Sequence, residues 1–571
     1  MNCSKDMVIS IVISGEAGQG IDTVSNILIK LLKIEGYNIF CCKEYMSRVR
    51  GGINSTQILV SSEKINAYSE KIDILLALDK EAFSHVSARI SPDTAIICDR
   101  DNVDADFTKR CRTFELPIAA LAQEAGSKLY LNTVSAGCIL GLFQLDTALI
   151  TEYIENIFES KSDDIRQKNI NAALKGYNEG KKLVENADIK IKIDKDAGVK
   201  DKILLNGTES ISLGCLSAGC NFISSYPMSP GTGVLTFMAN ASRTTDILVE
   251  QAEDEIAAIN MAIGAWYSGA RAMVTTSGGG FALMEEGVSL SGMLETPVVI
   301  HLAQRPGPAT GLPTRTEQGD LELALYSGHG EFPRVIYVPG SLKQAYQLSQ
   351  KAFNIADKYQ IPVFILTDQY FLDSYSCIEP ENVSEINIES YITETEPDYK
   401  RYKLTESGIS PRGIPGFGNG LVNVDSDEHC EDGHITENLD LRVKMVDKRL
   451  KKLEALTLEA LPPDLYGSEN YENLIISWGS NLEIVNQALK SINRDDMAHL
   501  HFKQVYPLHP ITLEFLANAK NTVIVENNAT SQFGKLIKLS FGIDPKLKIL
   551  KYNGLPFSIE ELAEKFSNIR K

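Results

Sequence analysis

Three short segments of the sequence combine reactive side chains with residues that fix the backbone. Ser229 stands between two prolines directly after an apolar run, so a rigid extended turn presents its hydroxyl. Glu253, Asp254 and Glu255 begin a helical pattern, where an acid either complements the helix dipole or serves in proton transfer. Arg305 opens a loop rich in Gly and Pro, and its guanidinium offers two parallel donors to a carboxylate. These segments form the candidate site.

The first of these segments, YPMSP at 226–230, resembles the YPITP segment of the pyruvate:ferredoxin oxidoreductase superfamily. In that family the Thr hydroxyl lies against the substrate, and Ser229 keeps the hydroxyl without the methyl group. The resemblance implies that Ser229 is catalytic and binds substrate, while Tyr226 and Pro227 lie beside the cofactor. Taken alone, the segment is equally compatible with an ordinary strand-to-helix turn.

The acidic helix start resembles the same family's site for thiamine diphosphate. That cofactor needs one carboxylate hydrogen-bonded to N1′ of its aminopyrimidine, because this favours the imino tautomer that removes the C2 proton. The family's activating Glu lies nine residues before a Gly, and Glu255 and Gly264 reproduce this spacing. The resemblance therefore implies that Glu255 activates the cofactor, whereas Glu253 and Asp254 are expected only to complement the helix dipole.

The loop after Arg305 carries the closest resemblance, because its run GPATGLPTRTEQGDL at 307–321 is similar to the alpha subunits of 2-oxoacid:ferredoxin oxidoreductases. Arg305 aligns with the family's substrate-binding arginine, so it is expected to bind the oxoacid carboxylate. Thr310, Thr314 and Arg315 become further pocket candidates. An isolated Arg after a strand would more often be a surface charge.

A glycine turn, GEAGQG at 15–20, lies between a strand pattern and a helix pattern. Its glycines, which would let backbone N–H groups approach a phosphate, are Gly15, Gly18 and Gly20. The spacing is neither that of a dinucleotide site nor that of a P-loop. Together with 47–61, which contains Arg50, the turn resembles the gamma domain of 2-oxoacid oxidoreductases, a domain associated with coenzyme A. Phosphate contact and plain tight packing both remain open.

The cofactor is expected to be shared with another chain. The family's diphosphate and magnesium motif begins with GDG, which does not occur in this sequence. None of the ten cysteines has C-x-x-C spacing, so neither an iron–sulfur cluster nor another metal is expected in this chain. The resemblance implies a beta subunit that holds the diphosphate and Mg²⁺, with a [4Fe-4S] cluster there or in an accessory chain. His429 and His434 are interpreted as exposed or interface histidines rather than as a metal pair.

Composition narrows the class of protein. The 571 residues are 43% hydrophobic and carry a formal net charge of −19 without long like-charge blocks, which argues against nonspecific nucleic-acid binding. The sequence shows no apolar run of membrane-spanning length and no export signal, so no membrane is expected as a partner. Cysteines in apolar stretches fit a reducing compartment, and a cytoplasmic location is expected.

The positioning elements are predicted to form three α/β domains. Strands at 7–14, 73–78 and 94–98 and a helix at 21–34 predict a parallel, Rossmann-like sheet covered on both faces. The second domain, which resembles the pyrimidine-binding alpha domain, has strands predicted at ARAMVTTS, TPVVIHLA, RVIYVP and PVFILTD. The last, with NLIISWGS and NTVIVEN as parallel strands, resembles a transketolase-C-like domain. The predicted boundaries are 1–186 for the gamma domain, 187–202 for a linker, 203–376 for the pyrimidine-binding domain, 377–469 for a surface crossover with a basic helix, and 470–571 for the transketolase-C-like domain.

The resemblance implies CoA-dependent oxidative decarboxylation of a 2-oxoacid with reduction of ferredoxin, carried out by a fused gamma-alpha subunit in an αβ or (αβ)2 complex. The fusion favours 2-oxoglutarate or a broad range of oxoacids over pyruvate alone. Two alternatives remain open. One is a thiamine-dependent decarboxylase or synthase that does not use ferredoxin, and the other is a noncatalytic, CoA-binding assembly subunit.

Overall fold

The computed structural model describes residues 8–46, 52–384 and 386–570. Arg50 and Gly51 of the predicted gamma segment lie outside these residues. The chain divides into two compact units, of which the first comprises Met1–Leu205 and Asp373–Pro380 and the second Asn206–Leu372 and Glu381–Lys571. None of the helices in the described part of the chain combines the length and apolar character that a bilayer crossing demands.

The first unit is built on one eight-stranded sheet in the order β6-β5-β4-β1-β3-β2-β14-β7. Its strands, numbered with all others along the chain, are β1 (Val8–Glu16), β2 (Asn38–Glu44), β3 (Ile53–Ser61), β4 (Ile74–Ala77), β5 (Ala95–Asp99), β6 (Arg112–Leu116), β7 (Ile203–Asn206) and β14 (Tyr375–Ile378). β1, β4, β5 and β6 run parallel, as predicted. The sheet also contains β3, which was not predicted from the sequence and is antiparallel to both β1 and β2. Residues 45–52 between β2 and β3 are too few for a parallel crossover.

Helices of the first unit pack on this sheet and on one another. They are α1 (Ile21–Glu35), α2 (Glu81–His85), α3 (Ala105–Thr108), α4 (Ile118–Glu124), α5 (Leu131–Leu142), α6 (Thr147–Ile157) and α7 (Asp163–Glu185). α5 and α7 meet backbone to backbone, since a Cβ placed on Gly176 would lie 2.0 Å from the Val134 carbonyl oxygen and one on Gly141 2.1 Å from that of Tyr177. Only glycine permits this approach.

The second unit contains two sheets, ordered β18-β12-β13-β11-β10-β8-β9 and β15-β17-β16-β19-β20. The strands are β8 (Phe222–Ser225), β9 (Leu248–Gln251), β10 (Ala272–Thr276), β11 (Val298–Gln304), β12 (Val335–Tyr337), β13 (Pro362–Asp368), β15 (Asp464–Gly467), β16 (Asn473–Trp478), β17 (Met497–Phe502), β18 (Gln504–Tyr506), β19 (Asn521–Glu526) and β20 (Leu547–Leu550). Apart from β15 and β18, neighbouring strands are parallel. The strands predicted from the apolar runs are confirmed, because strands buried on both faces read as continuous apolar segments.

Twelve helices surround these two sheets in the described residues. They are α8 (Gly207–Ser217), α9 (Thr232–Ala241), α10 (Glu255–Tyr267), α11 (Gly278–Leu294), α12 (Leu321–Tyr326), α13 (Leu342–Tyr359), α14 (Gln369–Asp373), α15 (Leu439–Leu458), α16 (Asn481–Ile492), α17 (Thr512–Asn518), α18 (Gln532–Phe541) and α19 (Ile559–Ser567). α15 is the predicted basic helix. Its Lys448 and Lys452 are buried, and each ammonium lies 2.6 Å from a carboxylate oxygen of Glu295.

The segment before α15 is largely irregular. The prediction that it runs over the surface is wrong for several of its charged and aromatic residues, which are buried. Arg412 is buried and donates from Nη2 to Asp357 Oδ1 at 2.6 Å. The interpretation of His429 as exposed is also wrong, because its ring is buried and stacks on Tyr402 with centroids 3.7 Å apart. His434 is exposed, as expected. A paired guanidinium can be buried where an unpaired one could not, and sequence alone does not show that pairing.

Candidate active site

The site lies where three neighbouring parallel strands end. β8, β10 and β11 are adjacent in the sheet, so the residues that follow them meet at its carboxyl edge. Tyr226–Ser229 follow β8, the first turn of α11 follows β10, and Arg305 follows β11. Arg305 Nη1 donates to the Ser229 carbonyl oxygen at 2.8 Å, so the structure brings these two predicted residues together.

Glu255 is the buried acid among the three at the start of α10. Glu253 is exposed, and Asp254 is the N-cap residue, whose Oδ1 accepts from the Ala257 N–H at 2.7 Å. Glu255 is only 3% exposed, and its Oε1 is buried without a hydrogen-bond partner. A Cβ placed on Gly280 in the first turn of α11 would lie 2.4 Å from that oxygen. The Glu255 carboxylate therefore occupies space that only a glycine leaves free.

Arg305 is half-buried, and its contacts only partly satisfy the guanidinium. Nη1 is used by the Ser229 carbonyl, whereas Nε is buried without a partner. Burial lowers the pKa of Arg305, and the charge of Asp320 acts in the opposite direction. The Ser229 residue is exposed, and the contact with Arg305 uses its carbonyl rather than its hydroxyl. Both groups thus remain available for an anionic ligand.

Asp320 is a site residue that the sequence reasoning did not single out. Its two carboxylate oxygens lie 2.4 and 2.5 Å from a Cβ placed on Gly278, the first residue of α11. Oδ2 is buried without a partner, and burial together with the charge of Glu317 raises the pKa of Asp320 to about 7. Asp320 stands inside the run that carries the family resemblance, but nothing in the sequence predicts its contact with Gly278.

Three buried polar atoms without partners lie in or against the first turn of α11, namely Glu255 Oε1, Ser277 Oγ and Asp320 Oδ2. Arg305 Nε, also buried without a partner, follows the neighbouring strand β11. An unsatisfied buried polar group costs on the order of 1–3 kcal/mol, so such a cluster is typical of a site that a ligand completes. Donors and acceptors are both present, together with a carboxylate and a guanidinium. The arrangement can bind an anion and exchange a proton.

The remaining pocket candidates lie on exposed or partly exposed backbone. Thr310 is exposed and Thr314 is half-buried. Their loop approaches the site at Ala309, whose carbonyl oxygen would lie 3.5 Å from a Cβ on Gly279. Tyr226 is 40% exposed and Pro227 is partly buried on the turn that precedes Ser229. The loops therefore frame the site, and its buried polar groups come from the helix starts and strand ends.

The glycine turn of the first unit lies between β1 and α1. Gly15 is the penultimate residue of β1, and Gly18 and Gly20 have φ of 93° and 80°, in the left-handed region. A Cβ on Gly20 would lie 2.0 Å from the side-chain nitrogen Nδ2 of Asn132. The oxygen of the same amide, Asn132 Oδ1, is buried without a hydrogen bond. The close approach of Asn132 supports the packing role of the turn. The unpartnered amide oxygen is a polar group that sequence reasoning did not identify.

No group of three or more His, Cys, Asp and Glu side chains with metal-binding geometry occurs within residues 8–46, 52–384 and 386–570. His429 Nδ1 lies 3.0 Å from the Asp427 carbonyl oxygen, which orients the ring toward its own loop.

Comparison with known proteins identifies relatives of this chain. Residues 213–448 match the family "Pyruvate flavodoxin/ferredoxin oxidoreductase, thiamine diP-bdg", and residues 10–179 match "Pyruvate ferredoxin/flavodoxin oxidoreductase". The 2-oxoacid:ferredoxin oxidoreductase subunit alpha of Sulfolobus sp is 32% identical over 99% of this chain and 97% of that protein. The 2-oxoglutarate synthase subunit KorA of Methanocaldococcus jannaschii is 31% identical over 57% of this chain and 88% of that protein.

A solved structure matches nearly the whole chain. It is the 2-oxoglutarate:ferredoxin oxidoreductase from Magnetococcus marinus with 2-oxoglutarate, coenzyme A and succinyl-CoA bound. It is 28% identical, covers 99% of both chains and superposes with a TM-score of 0.91.

Proposed function

The chain belongs to the family of 2-oxoacid:ferredoxin oxidoreductase alpha subunits, and we propose that, with a beta subunit, it converts a 2-oxoacid, coenzyme A and oxidised ferredoxin to acyl-CoA, CO₂ and reduced ferredoxin. The beta subunit would hold the diphosphate and Mg²⁺, since the GDG motif is absent from this sequence. A [4Fe-4S] cluster in that subunit or in an accessory chain would carry the electrons. The complex would be αβ or (αβ)2.

Glu255 carries the proposal. Its Oε1 is buried and unpartnered, and Gly280 leaves room beside it. This fits the pyrimidine side of thiamine diphosphate, where one carboxylate has to accept a hydrogen bond from the ring in a site shielded from water. Thiamine diphosphate, when bound, supplies the carbanion chemistry of the decarboxylation. Glu255 would hold the proton at the ring nitrogen, and Tyr226 and Pro227 would line the same side.

Arg305 would bind the carboxylate of the oxoacid, and the Ser229 hydroxyl would hydrogen-bond near the reacting carbon. The support is their proximity at the ends of β8 and β11 and the unpartnered Nε of Arg305. A planar guanidinium suits this role because it presents parallel donors to two oxygens. Thr310 and Thr314 would contribute from the loop that frames the site.

We favour 2-oxoglutarate or a broad range of 2-oxoacids as substrate. The support comes from the relatives, since the Methanocaldococcus protein is named a 2-oxoglutarate synthase subunit and the Magnetococcus structure contains 2-oxoglutarate. That structure also contains coenzyme A, which supports coenzyme A as the acyl acceptor here.

In the first unit, Gly15, Gly18 and Gly20 form our proposed phosphate contact for coenzyme A. We propose boundaries at 1–186 for the gamma domain, 187–202 for the linker, 203–376 for the pyrimidine-binding domain, 377–469 for the crossover and basic helix, and 470–571 for the transketolase-C-like domain. β7 and β14, at the two ends of the third range, nevertheless pair in the sheet of the first unit.

The test is turnover by the chain purified in complex with its beta subunit. Wild type, Glu255→Gln and Glu253→Gln would be assayed with several 2-oxoacids, coenzyme A and a low-potential dye. We expect acyl-CoA and reduced dye from wild type and from Glu253→Gln, whose side chain is exposed. Loss of a positioned proton-transfer group is expected to cut turnover of Glu255→Gln about a hundredfold or more.

Other outcomes would replace the proposal. Decarboxylation without dye reduction or acyl-CoA would indicate a thiamine-dependent decarboxylase or synthase. Absence of turnover with every oxoacid, in a complex that binds coenzyme A, would indicate an assembly subunit. Equal turnover by Glu255→Gln and wild type would remove Glu255 from the reaction.

A further inference from the structure

Asp320 is anchored to the same strand end that delivers Arg305. Its backbone N–H donates to Gln304 Oε1 at 3.0 Å, and Gln304 Nε2 donates to the Thr367 carbonyl oxygen on β13 at 3.1 Å. Gln304 is the last residue of β11 and directly precedes Arg305. The backbone of Asp320 is therefore fixed at the strand end that leads into Arg305, and the two side chains are near enough for their charges to act on each other.

The Asp320 carboxyl group has few stabilising contacts at that place. Oδ2 is buried without a hydrogen bond, and both oxygens lie against Gly278 at the start of α11. Arg305 at the end of β11 favours the ionised form, and Glu317 on the preceding loop opposes it. Burial adds to the opposition, and the pKa of Asp320 is raised to about 7.

The neighbouring acids Glu322 and Glu255 make contacts other than with Asp320. Glu322, in the first turn of α12, pairs with Lys535 of α18 at 3.0 Å. Glu255 lies against Gly280, two residues further along the first turn of α11. Arg305 is therefore the cation that acts on Asp320 most strongly among the described residues, and Glu317 is the acid that does so.

A carboxylate bound by Arg305 would bring a second negative charge next to Asp320. Two carboxylates that share one partly buried site cannot both be ionised cheaply, so one of them gains a proton. An oxoacid carboxylate is the stronger acid of the two because of its neighbouring carbonyl, so the proton would reside on Asp320. The protonated carboxyl would also gain a donor, which the unpartnered Oδ2 lacks.

We propose, on the basis of the proposed function, that Asp320 is a positioning residue of the oxoacid pocket that takes up one proton from solvent when the oxoacid carboxylate binds to Arg305. Without substrate, ionised Asp320 and Arg305 influence each other through their charges. With substrate, the oxoacid carboxylate binds Arg305, and neutral Asp320 does not repel it. Substrate affinity then falls as pH rises, because the ionised carboxyl group repels the bound anion.

The test compares Asp320→Asn with wild type in the assembled complex. KM for 2-oxoglutarate, or for the best oxoacid, would be measured between about pH 6 and 9. For wild type we expect KM to rise up to about tenfold per pH unit above the pKa of the carboxyl group. Asp320→Asn imitates the protonated form, so its KM is expected to stay low and nearly constant, with kcat changed less than KM. Glu322→Gln, which removes a partly exposed carboxylate two residues away, is the matched control and should retain the wild-type slope.

A second measurement does not depend on turnover. Calorimetric titration of the complex with 2-oxoglutarate, without coenzyme A or acceptor, in two buffers of different ionisation enthalpy gives the number of protons taken up. At about pH 8 we expect wild type to take up about one proton more than Asp320→Asn, because any proton exchanged in decarboxylation is common to both. Equal proton uptake in both would overturn the inference, as would parallel KM profiles. Binding with proton uptake but without oxidation of any oxoacid would instead contradict the proposed function alone.

Discussion

At Gly280 the absence of a side chain decides where the Glu255 carboxylate can lie. A Cβ there would approach Glu255 Oε1 to 2.4 Å and Thr276 Oγ1 to 2.3 Å. Both atoms belong to side chains rather than to backbone, so the fold can tolerate the methyl group while the carboxylate cannot keep its position. Gly280→Ala is therefore expected to displace Glu255 without unfolding the protein. Displacement by about 1 Å can cost on the order of a hundredfold in turnover, which steady-state assay of the complex would measure.

The matched control for this prediction is Gly279→Ala in the same helical turn. A Cβ on Gly279 would meet only the Ala309 carbonyl oxygen at 3.5 Å, an ordinary contact. We expect this variant to turn over at a rate near that of wild type, with both variants melting near the wild-type temperature. Equal losses of turnover in the two variants would mean that the helix start, rather than the Glu255 carboxylate, is what matters.

Replacement of Arg305 is expected to act on substrate binding. Arg305→Ala should raise KM for the oxoacid more than it lowers kcat, because the two-donor contact to the carboxylate is lost. Arg305→Lys should lie between, since an ammonium keeps the charge but not the planar pair of donors. Arg243→Ala, on an exposed residue after α9, serves as the control. An unaltered dependence of rate on oxoacid concentration would exclude Arg305 from the pocket.

Part of the candidate site could be predicted from residue types and spacing, and part could not. Ser229, Glu255 and Arg305 stand in short motifs, and each follows a strand or begins a helix, as predicted. Asp320 and Ser277 became site residues only through contacts. The position of Asp320 depends on Gly278, forty-two residues earlier in the sequence, and no local pattern encodes such a distant contact.

At the scale of elements, α15 is held against the C-terminal end of α11 by ion pairs with a single acid, Glu295. Glu295, at the C-cap position with φ of 47°, contacts the ammonium groups of Lys448 and Lys452, each at 2.6 Å. These cations hold the pKa of Glu295 well below its usual range, although burial acts against them, and burial lowers the pKa of Lys452 to about 8. Three buried charges are stable here only because they are paired.

Glu295→Gln is expected to destabilise the second unit strongly, because two buried ammonium groups lose their counter-charge. Breaking such a pair costs about 3–5 kcal/mol, which a shift of the urea midpoint would reveal. Glu459→Gln is the control, since its 2.6 Å pair with Lys358 is partly exposed and should contribute about 1 kcal/mol or less. Similar midpoint shifts for the two variants would contradict the anchoring role of Glu295.

Buried ion pairs are also the reason why the segment before α15 could not be predicted from the sequence, whereas the buried strands could. Apolar runs such as those of β11 and β13 predicted strands well, because their burial is evident from their composition. The segment before α15 has few apolar positions and was predicted to lie on the surface. Its buried Arg412 is paired with Asp357, which lies on α13, so the evidence for burial is located elsewhere in the sequence.

At the scale of the whole molecule, buried histidines link the stability of the second unit to pH. His301 lies between the hydroxyls of Thr275 and Thr367, at 2.8 and 2.9 Å. Burial lowers the pKa of His301 and of His499 to about 3, and it lowers that of His501 well below its usual value. In the unfolded chain a histidine titrates at about 6.5. Below that pH the unfolded state binds protons that the folded state does not, so stability falls as pH drops from about 6.5 toward 3.

Asp320 has the opposite effect on the pH dependence of stability and so reduces the net change. Its pKa is raised to about 7, so between about pH 4 and 7 the folded state holds a proton that the unfolded state lacks. Glu317 and Asp368 also have a raised pKa, but His429 and paired carboxylates such as Glu295 join the three histidines in having a lowered one. The lowered groups outnumber the raised ones, and we expect the free energy of unfolding to fall with decreasing pH below about 6.5. His301→Asn should reduce that slope by about one proton, or about 1.4 kcal/mol per pH unit, in urea midpoints measured from about pH 7 to 4.5. His434→Asn, on an exposed side chain, is the control and should change the slope much less than His301→Asn. A slope that His301→Asn does not alter would mean that His301 is protonated in the folded protein, in conflict with its two hydroxyl partners and its burial.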